Sequence, residues 1–200
     1  GLATREERHR KAAQLFARMH ADVIHGQTLD LLGTAESEDV ADHKTASYTT
    51  VGPMAIGAAL GGASLDDILR VAAIARPIGI AFQISDDILG VFGDPAATGK
   101  PRGSDLKSGK RTALLQRALE LADGEGRAAI SAVLGRRDAK EAEVDAAISA
   151  MARTSAKEMC EERAAKLVSF AVDTLEKSGF DAEGIAMTAH IARLAVFRER

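Results

Sequence analysis

Apolar residues recur at helical spacing along most of the chain, and glycines, prolines and helix-capping residues separate the apolar stretches. Residues 4–32 predict an amphipathic helix that ends at Gly33. Its apolar positions include Leu15, Met19 and Val23, which are spaced along one face. Alanine-rich stretches recur beyond it, and aromatic residues make up only 4% of the chain. This pattern predicts an all-α fold rather than a β-rich one.

The longest apolar stretch, residues 65–91, is apolar on most sides, so it predicts the central helix of the fold. Ser64 and Asp67 predict the cap at its N-terminus. Its polar groups cluster near the other end, where Asp86 and Asp87 meet the negative pole of the helix dipole. Carboxylates are poorly placed there for stability, and such a departure from a local rule is typical of a functional site.

The remaining segments predict connectors and packing helices. Residues 37–42 are predicted to form a polar connector. Pro53 is predicted to kink the helix that follows, because it lacks a backbone donor. Asp138 with Glu141 predicts the cap of a later helix. Together these elements predict a single helical domain over residues 1–200, a length that suits one substantial core.

Charge and composition argue against several classes of function. A net charge of −3 and a pI near 6.0 argue against a nucleic-acid-binding protein, which needs a clustered basic face. The single Cys160 cannot form an internal disulfide, so the cytoplasm is the simplest compartment. No uninterrupted apolar run reaches the ~20 residues of a membrane-spanning helix, so no membrane span is expected.

Two neighbouring carboxylates beside an apolar helix face predict a bound cation. Burying Asp86 next to Asp87 is costly without positive charge, and their oxygens suit Mg²⁺, which usually takes one or two protein carboxylates. Gln83 lies one turn earlier on the same helical face. The glycine-rich loop that follows carries Lys100 and Lys110, which are point charges suited to holding a phosphate group. The residues alone leave two interpretations open, a metal site or a solvated helix end.

Other polar groups have both a site interpretation and a surface interpretation. Gln27 and Asp30 share a helix face, which equally fits a solvated polar stripe. Lys44 fits an ordinary surface lysine as well as a phosphate ligand. Asp94 and Asp105 are candidates for groups that surround the metal site, although Asp94 also fits simple turn chemistry.

The sequence FQISDDILGVFGDPAATGKPRGSDLKSGK, residues 82–110, resembles the second aspartate-rich motif and lysine loop of the trans-prenyltransferases, which include polyprenyl and geranylgeranyl diphosphate synthases. Residues 26–30 and 44–48 resemble upstream signatures of that family in the same order. The resemblance covers roughly residues 26–200. The family's first aspartate-rich motif is absent from this sequence, so we expect the chain to be the C-terminal part of a longer enzyme whose N-terminal helices are missing here.

The resemblance implies an isoprenoid-synthase-like helical bundle around a central apolar helix. It also implies transfer of a prenyl group from an allylic diphosphate to isopentenyl diphosphate in isoprenoid biosynthesis, by a cytoplasmic homodimer. Asp86 and Asp87 would hold Mg²⁺, and Gly90 stands where many family members carry a third aspartate. The residues implied in substrate binding are Gln27, Asp30, Lys44, Thr45, Gln83, Lys100 and Lys110, and Lys44, Thr45 and Gln83 are also implied in catalysis.

Three other interpretations stay open. A class I terpene cyclase shares magnesium-assisted ionisation, but it usually has an aromatic-rich pocket, and this chain has six Phe and one Tyr. A non-catalytic partner subunit of a prenyltransferase is the second, and the retained lysines and aspartates argue against it. The third is a stable folded core that binds diphosphate weakly or not at all. We expect the chain alone to lack full activity.

Overall fold

The computed structural model of the protein describes residues 4–33, 37–99 and 101–196, so the predicted ligand Lys100 lies outside the described residues. Every regular element in those ranges is helical, which confirms the all-α prediction. In chain order the helices are α1 (Arg5–Leu32), α2 (Ser37–Val40), a π-helix (Ala41–Val51), α3 (Gly52–Gly61), α4 (Leu65–Phe92), α5 (Pro95–Thr98), α6 (Ser104–Ser108), α7 (Ala113–Leu121), α8 (Gly124–Val133), α9 (Glu141–Ala152), α10 (Ala156–Glu176) and α11 (Ala182–Val196).

The described residues form two compact units. The first unit comprises the chain up to Gln83 together with Ala165–Val196, and the second comprises Ile84–Ala164. The long helix α4 contributes residues to both, and the boundary falls between Gln83 and Ile84. The arrangement of residues 1–200 as one domain stays a prediction.

Helix α1 begins and ends where the sequence predicts. Thr4 caps its N-terminus, because the Thr4 Oγ1 atom accepts from the Glu7 amide at 3.2 Å and the Glu7 carboxylate accepts from the Thr4 amide at 2.7 Å. Gly33 ends the helix in the left-handed conformation, with φ of 61°. Within the first unit, Ala12 of α1 packs in a buried cluster with Ala55, Ala59 and Ile68.

The predicted polar connector over residues 37–42 is wrong, because this stretch is helical and runs into the π-helix. The polar composition concealed the buried Ala41 in this stretch, and the buried Ala46 follows it in the π-helix. Pro53 is the second residue of α3, which follows the π-helix without a break, so the hydrogen-bond spacing changes next to a residue that lacks a backbone donor. The kink at Pro53 stays a prediction.

Two glycines bring helices α1 and α4 against the backbone of the π-helix in the first unit. A Cβ atom on Gly26 of α1 would lie 2.3 Å from the backbone nitrogen of Lys44. A Cβ atom on Gly79 of α4 would lie 2.5 Å from the Cα atom of Ala46. Since real Cβ contacts are much longer, only glycine permits this packing. The π-helix is therefore fixed from two sides by backbone contacts.

Helix α4 has the cap predicted from the sequence, since the amide of Asp67 donates to Ser64 Oγ at 3.1 Å. Among the described residues it is the one helix long and apolar enough to cross a membrane by length and composition, with 44% of the relevant window buried. Core helices have the same properties. Its buried positions recur along its length, at Ile68, Ile74, Ala75, Ile78, Ala81, Ile84, Ile88 and Val91.

In the second unit, helices α8 and α9 pack as a pair through buried Ile130, Val133, Val144 and Ile148. The predicted cap of α9 by Asp138 with Glu141 is wrong. The helix begins one residue after Lys140, whose amide donates to the Glu143 carboxylate at 2.8 Å. The side chain of Asp138 is 87% exposed and lies 3.8 Å from Arg136, so a surface ion pair replaces the cap.

Candidate active site

The first unit brings together a threonine and a glutamine that both belong to the predicted site. Thr45 is buried in the π-helix, and its hydroxyl donates to the Gln83 Oε1 atom of α4 at 2.5 Å. One turn further along the π-helix, Thr50 Oγ1 lies 3.0 Å from the carbonyl oxygen of Ala75. The π-helix is thus tied to α4 by two hydroxyl groups, and the Thr45 hydroxyl is directed toward Gln83.

The neighbouring lysine is turned toward helix α1. Lys44 Nζ lies 2.6 Å from Asp30 Oδ2, and both side chains are about three-quarters removed from solvent. The close approach of Gly26 to the Lys44 backbone brings the two helices near enough for this ion pair. Gln27, three residues before Asp30, is half-buried on the same helix. Of the upstream site residues on α1, the structure therefore joins Asp30 to Lys44.

The second unit buries an acidic residue of the aspartate pair and neutralises it. Asp87 is 6% exposed, and Lys110 Nζ lies 2.7 Å from its Oδ1 atom. The same ammonium lies 3.5 Å from Asp105 Oδ2. Asp86, the other member of the pair, is half-buried. The structure thus brings together three of the predicted groups, the two aspartates and the second loop lysine.

The ionisation of Lys110 follows from these neighbours. Burial of the ammonium acts to lower its pKa, but the carboxylate of Asp87 raises it by charge and by hydrogen bonding, and Asp105 and Asp86 add to this effect. The net result is a raised pKa, so Lys110 is a permanent cation near neutral pH.

Short helix α6 positions Asp105 and Lys110. It lies between Gly103 and Gly109, which have φ values of 70° and 72°, and its Leu106 side chain is 1% exposed. The amide of Lys110 donates to the carbonyl oxygen of Asp105 at 3.0 Å. These contacts fix the backbone of Asp105 and Lys110 on one turn of the chain.

The carboxylate of Asp105 lies directly against Gly90. A Cβ atom on Gly90 would lie 2.4 Å from Asp105 Oδ2 and 2.6 Å from its Cγ atom. Asp94 has a different role, because its Oδ1 atom accepts from the Ala96 amide at 2.9 Å and caps α5. Of the two acids considered as neighbours of the metal site, Asp105 belongs to the Lys110 cluster and Asp94 is a helix cap.

The carboxylates of the second unit fit the ligand chemistry of Mg²⁺. No group of three or more His, Cys, Asp or Glu side chains that could hold an ion occurs in the part of the chain that the structure describes. Mg²⁺ does not require one, because it usually takes one or two carboxylates and completes its shell with water and phosphate oxygens. Asp87 also already binds a cation here, the ammonium of Lys110. The site therefore suits a hard cation that shares its ligands with a phosphate.

The sequence alone did not identify the contacts that support these residues. The ion pair of Lys44 with Asp30, the hydroxyl contact of Thr50 and the contact of Gly90 with Asp105 all depend on packing between separate segments. A glycine inside an apolar helix was the available signal at Gly79 and Gly90, since helix interiors disfavour glycine unless another group approaches closely.

Comparison with known proteins agrees with this architecture. A sequence model described as Polyprenyl synthetase matches residues 2–151 of the chain. The geranylgeranyl diphosphate synthase of Sulfolobus acidocaldarius is 33% identical over 141 residues, which cover 67% of this chain and 42% of that protein. The geranylfarnesyl diphosphate synthase of Aeropyrum pernix is 34% identical over 173 residues, which cover 84% and 53% respectively.

A solved structure extends the similarity to the whole chain. The geranylgeranyl pyrophosphate synthase from Corynebacterium glutamicum, complexed with isoprenyl diphosphate and magnesium, is 33% identical with a TM-score of 0.90. The match covers 100% of this chain and 58% of that one. The chain thus spans about half the length of the relatives that it matches. Because the family model covers most of the residues, the chain belongs to the Polyprenyl synthetase family.

Proposed function

We propose that the protein transfers a prenyl group from an allylic diphosphate to isopentenyl diphosphate, and that this chain supplies the binding site for Mg²⁺ and the allylic diphosphate. The observation that carries the proposal is the buried Asp87 with Lys110 at 2.7 Å, on the motif that resembles the family's second aspartate-rich motif. A buried acid that already accepts a cation is suited to exchange it for a metal ion when a phosphate arrives to bind the lysine.

The lysines supply positive charge to the leaving group. Ionisation of the allylic substrate leaves a multiply charged diphosphate, and a lysine ammonium about 4 Å from one phosphate charge contributes about 4 kcal/mol at an effective dielectric of 20. In this proposal Lys110 and Lys44 bind phosphate oxygens, and Lys100 is a third candidate. The ion pairs with Asp87 and Asp30 hold the two described lysines in place beforehand.

Neutral hydrogen-bonding groups set the orientation of the diphosphate. Thr45 and Gln83 already contact one another, so the threonine hydroxyl can turn from Gln83 to a phosphate oxygen without moving the backbone. Gln27 and Asp30 line the same part of the first unit in this proposal. Because the backbone at Thr45 and Gln83 need not move, substrate binding requires little reorganisation of the protein in this proposal.

Asp86 and Asp87 would hold Mg²⁺, which supplies Lewis-acid stabilisation of the departing diphosphate when it is bound. The carboxylate pair at adjacent positions and the half-buried Gln83 one turn earlier support this assignment. A homodimer, which the family resemblance implies, and a cytoplasmic location, which fits a chain with the single Cys160, complete the proposal.

The test of turnover is the reaction of the purified full-length enzyme with an allylic diphosphate, labelled isopentenyl diphosphate and Mg²⁺. We expect a labelled, chain-extended prenyl diphosphate whose formation stops when Mg²⁺ is chelated. Products formed without isopentenyl diphosphate would indicate a terpene cyclase instead. Titration calorimetry with pyrophosphate and Mg²⁺ separates the remaining interpretations, because a folded core without a diphosphate site would give no heat of binding.

A further inference from the structure

Gly90 and Asp105 fit together as a pair in the second unit. The Asp105 carboxylate occupies the space beside Gly90 that a side chain at that position would take, with Oδ2 2.4 Å from an ideal Cβ atom. The Asp105 side chain is 17% exposed, so this position is largely enclosed. Gly90 lies in the last turn of α4, and glycine is a weaker helix former than alanine. The missing side chain thus provides room for the carboxylate.

The enclosed Asp105 carboxylate forms an ion pair with Lys110. Asp105 Oδ2 lies 3.5 Å from Lys110 Nζ, and the closer partner of this ammonium is Asp87 at 2.7 Å. Those are the two carboxylates that form ion pairs with Lys110 among the described residues. If Asp87 turns its oxygens to a metal ion, Lys110 keeps a negative neighbour in Asp105.

The backbone around Asp105 makes it a rigid partner. Its carbonyl oxygen accepts from the Lys110 amide and from Ser108 Oγ, each at 3.0 Å. The carbonyl oxygen of the next residue, Leu106, accepts from the amide of Gly135 at 2.9 Å. Asp105 and Lys110 are therefore held on one turn, and the direction of the ammonium depends on which carboxylate attracts it.

We propose that Asp105 is a positioning residue that keeps Lys110 directed toward the diphosphate when Asp87 binds the metal, and that Gly90 is required because it gives the Asp105 carboxylate its place. The inference rests on the proposed function and assigns to Asp105 a role that acts through Lys110. This role requires neither a change in the protonation of Asp105 nor a direct contact of Asp105 with the substrate.

The experiment measures pyrophosphate affinity by titration calorimetry at saturating Mg²⁺ for the wild-type protein, Asp105→Asn, Gly90→Ala and the double variant. We expect each single variant to bind about five- to tenfold more weakly, as fits the loss of one contact to a charged group. Because both changes act on the same contact, the double variant should be no weaker than the weaker single variant. Thermal unfolding should show that every variant is folded at the temperature of the titration. In Gly90→Ala the gain from alanine in the helix is opposed by the contact of the new Cβ atom with the Asp105 carboxylate.

Gly124→Ala is the matched control, because Gly124 is an exposed helical glycine of the same unit with no atom within 4 Å of its Cβ position. It should keep the wild-type affinity. Wild-type affinity in Asp105→Asn, or additive losses in the double variant, would overturn the inference. A flat titration for the wild-type protein itself would overturn the proposed function and the inference with it. The inference alone fails when the wild type binds pyrophosphate and Asp105→Asn binds it equally well.

Discussion

Lys44 and Asp30 form an ion pair of 2.6 Å between the π-helix and helix α1, although 14 residues separate them in the chain. The lysine is thereby neutralised and oriented before any phosphate binds. The pair in the second unit, Lys110 with Asp87, has nearly the same length of 2.7 Å. Each described lysine of the proposed site therefore has an internal carboxylate as its partner.

Removing the Lys44 ammonium should weaken diphosphate binding while leaving the fold intact. For Lys44→Ala we expect pyrophosphate affinity to fall at least about tenfold, because a phosphate loses a point charge. The free energy of unfolding should change by no more than about 1 kcal/mol, since the pair is partly solvated. Calorimetry and thermal unfolding measure the two quantities. The control is Lys177→Ala, an exposed lysine of the same unit. Equal affinities for the two variants would contradict the prediction.

The two adjacent aspartates should differ in their effect on stability. Asp87→Asn leaves the Lys110 ammonium without its nearest buried partner, and we expect a loss of about 1–3 kcal/mol in the free energy of unfolding. Asp86 is half-buried, so Asp86→Asn should lose less. Both variants should lose the gain in melting temperature that Mg²⁺ with pyrophosphate gives the wild type. If both variants gain as much in melting temperature as the wild type, the aspartate pair does not hold the metal.

The packing of the π-helix should make one glycine essential and leave another replaceable. Gly79→Ala places a Cβ atom 2.5 Å from the Cα atom of Ala46, so we expect it to lower the free energy of unfolding by about 2 kcal/mol or more. Gly57→Ala in α3 meets no atom within 4 Å and should stabilise the protein by up to about 1 kcal/mol. Urea unfolding of both variants is the measurement. A neutral Gly79→Ala would mean that the close contact with the π-helix is absent in solution.

The buried thiol predicts a loss of stability at high pH. Burial, followed by the charge of Asp87, raises the pKa of Cys160 from 9.0 to about 11. The folded protein therefore keeps this proton while the unfolded chain releases it, so the free energy of unfolding should fall by about 2 kcal/mol between pH 9 and pH 11. Urea unfolding across this range, compared with Cys160→Ala, isolates the effect. The difference between the two proteins should be independent of pH below pH 8, and a difference that stays constant up to pH 11 would refute the assignment.

Local features of the sequence were sufficient to predict the long helices and the chemistry of the motif. The ends of α1 follow from Thr4 and Gly33, and the start of α4 follows from Ser64, because capping depends on residues within one turn. The adjacent carboxylates and the second loop lysine were visible as parts of one motif. The structure adds the contact between Asp87 and Lys110, which joins residues 23 positions apart.

Contacts between distant segments and the π-helix could not be predicted in the same way. Thr45 and Gln83 are 38 residues apart, and periodicity assigns a face to each side chain without naming the partner. The polar residues before Lys44 predict a connector, whereas this stretch is helical and continues into the π-helix, against which Gly26 and Gly79 pack. Tertiary packing, and not local composition, therefore determines the secondary structure of this segment.

The π-helix has a consequence for how the family members align. Its hydrogen bonds link residues five apart, as between the Gly52 amide and the Ser47 carbonyl, so every closed ring contains one residue more than in an ordinary helix. A homologue with a regular α-helix in place of Ala41–Val51 should therefore need fewer residues to make the same number of turns. An insertion of one residue would rotate the lysine-threonine pair by a fraction of a turn against the rest of the bundle, which gives evolution a way to redirect these side chains without replacing them.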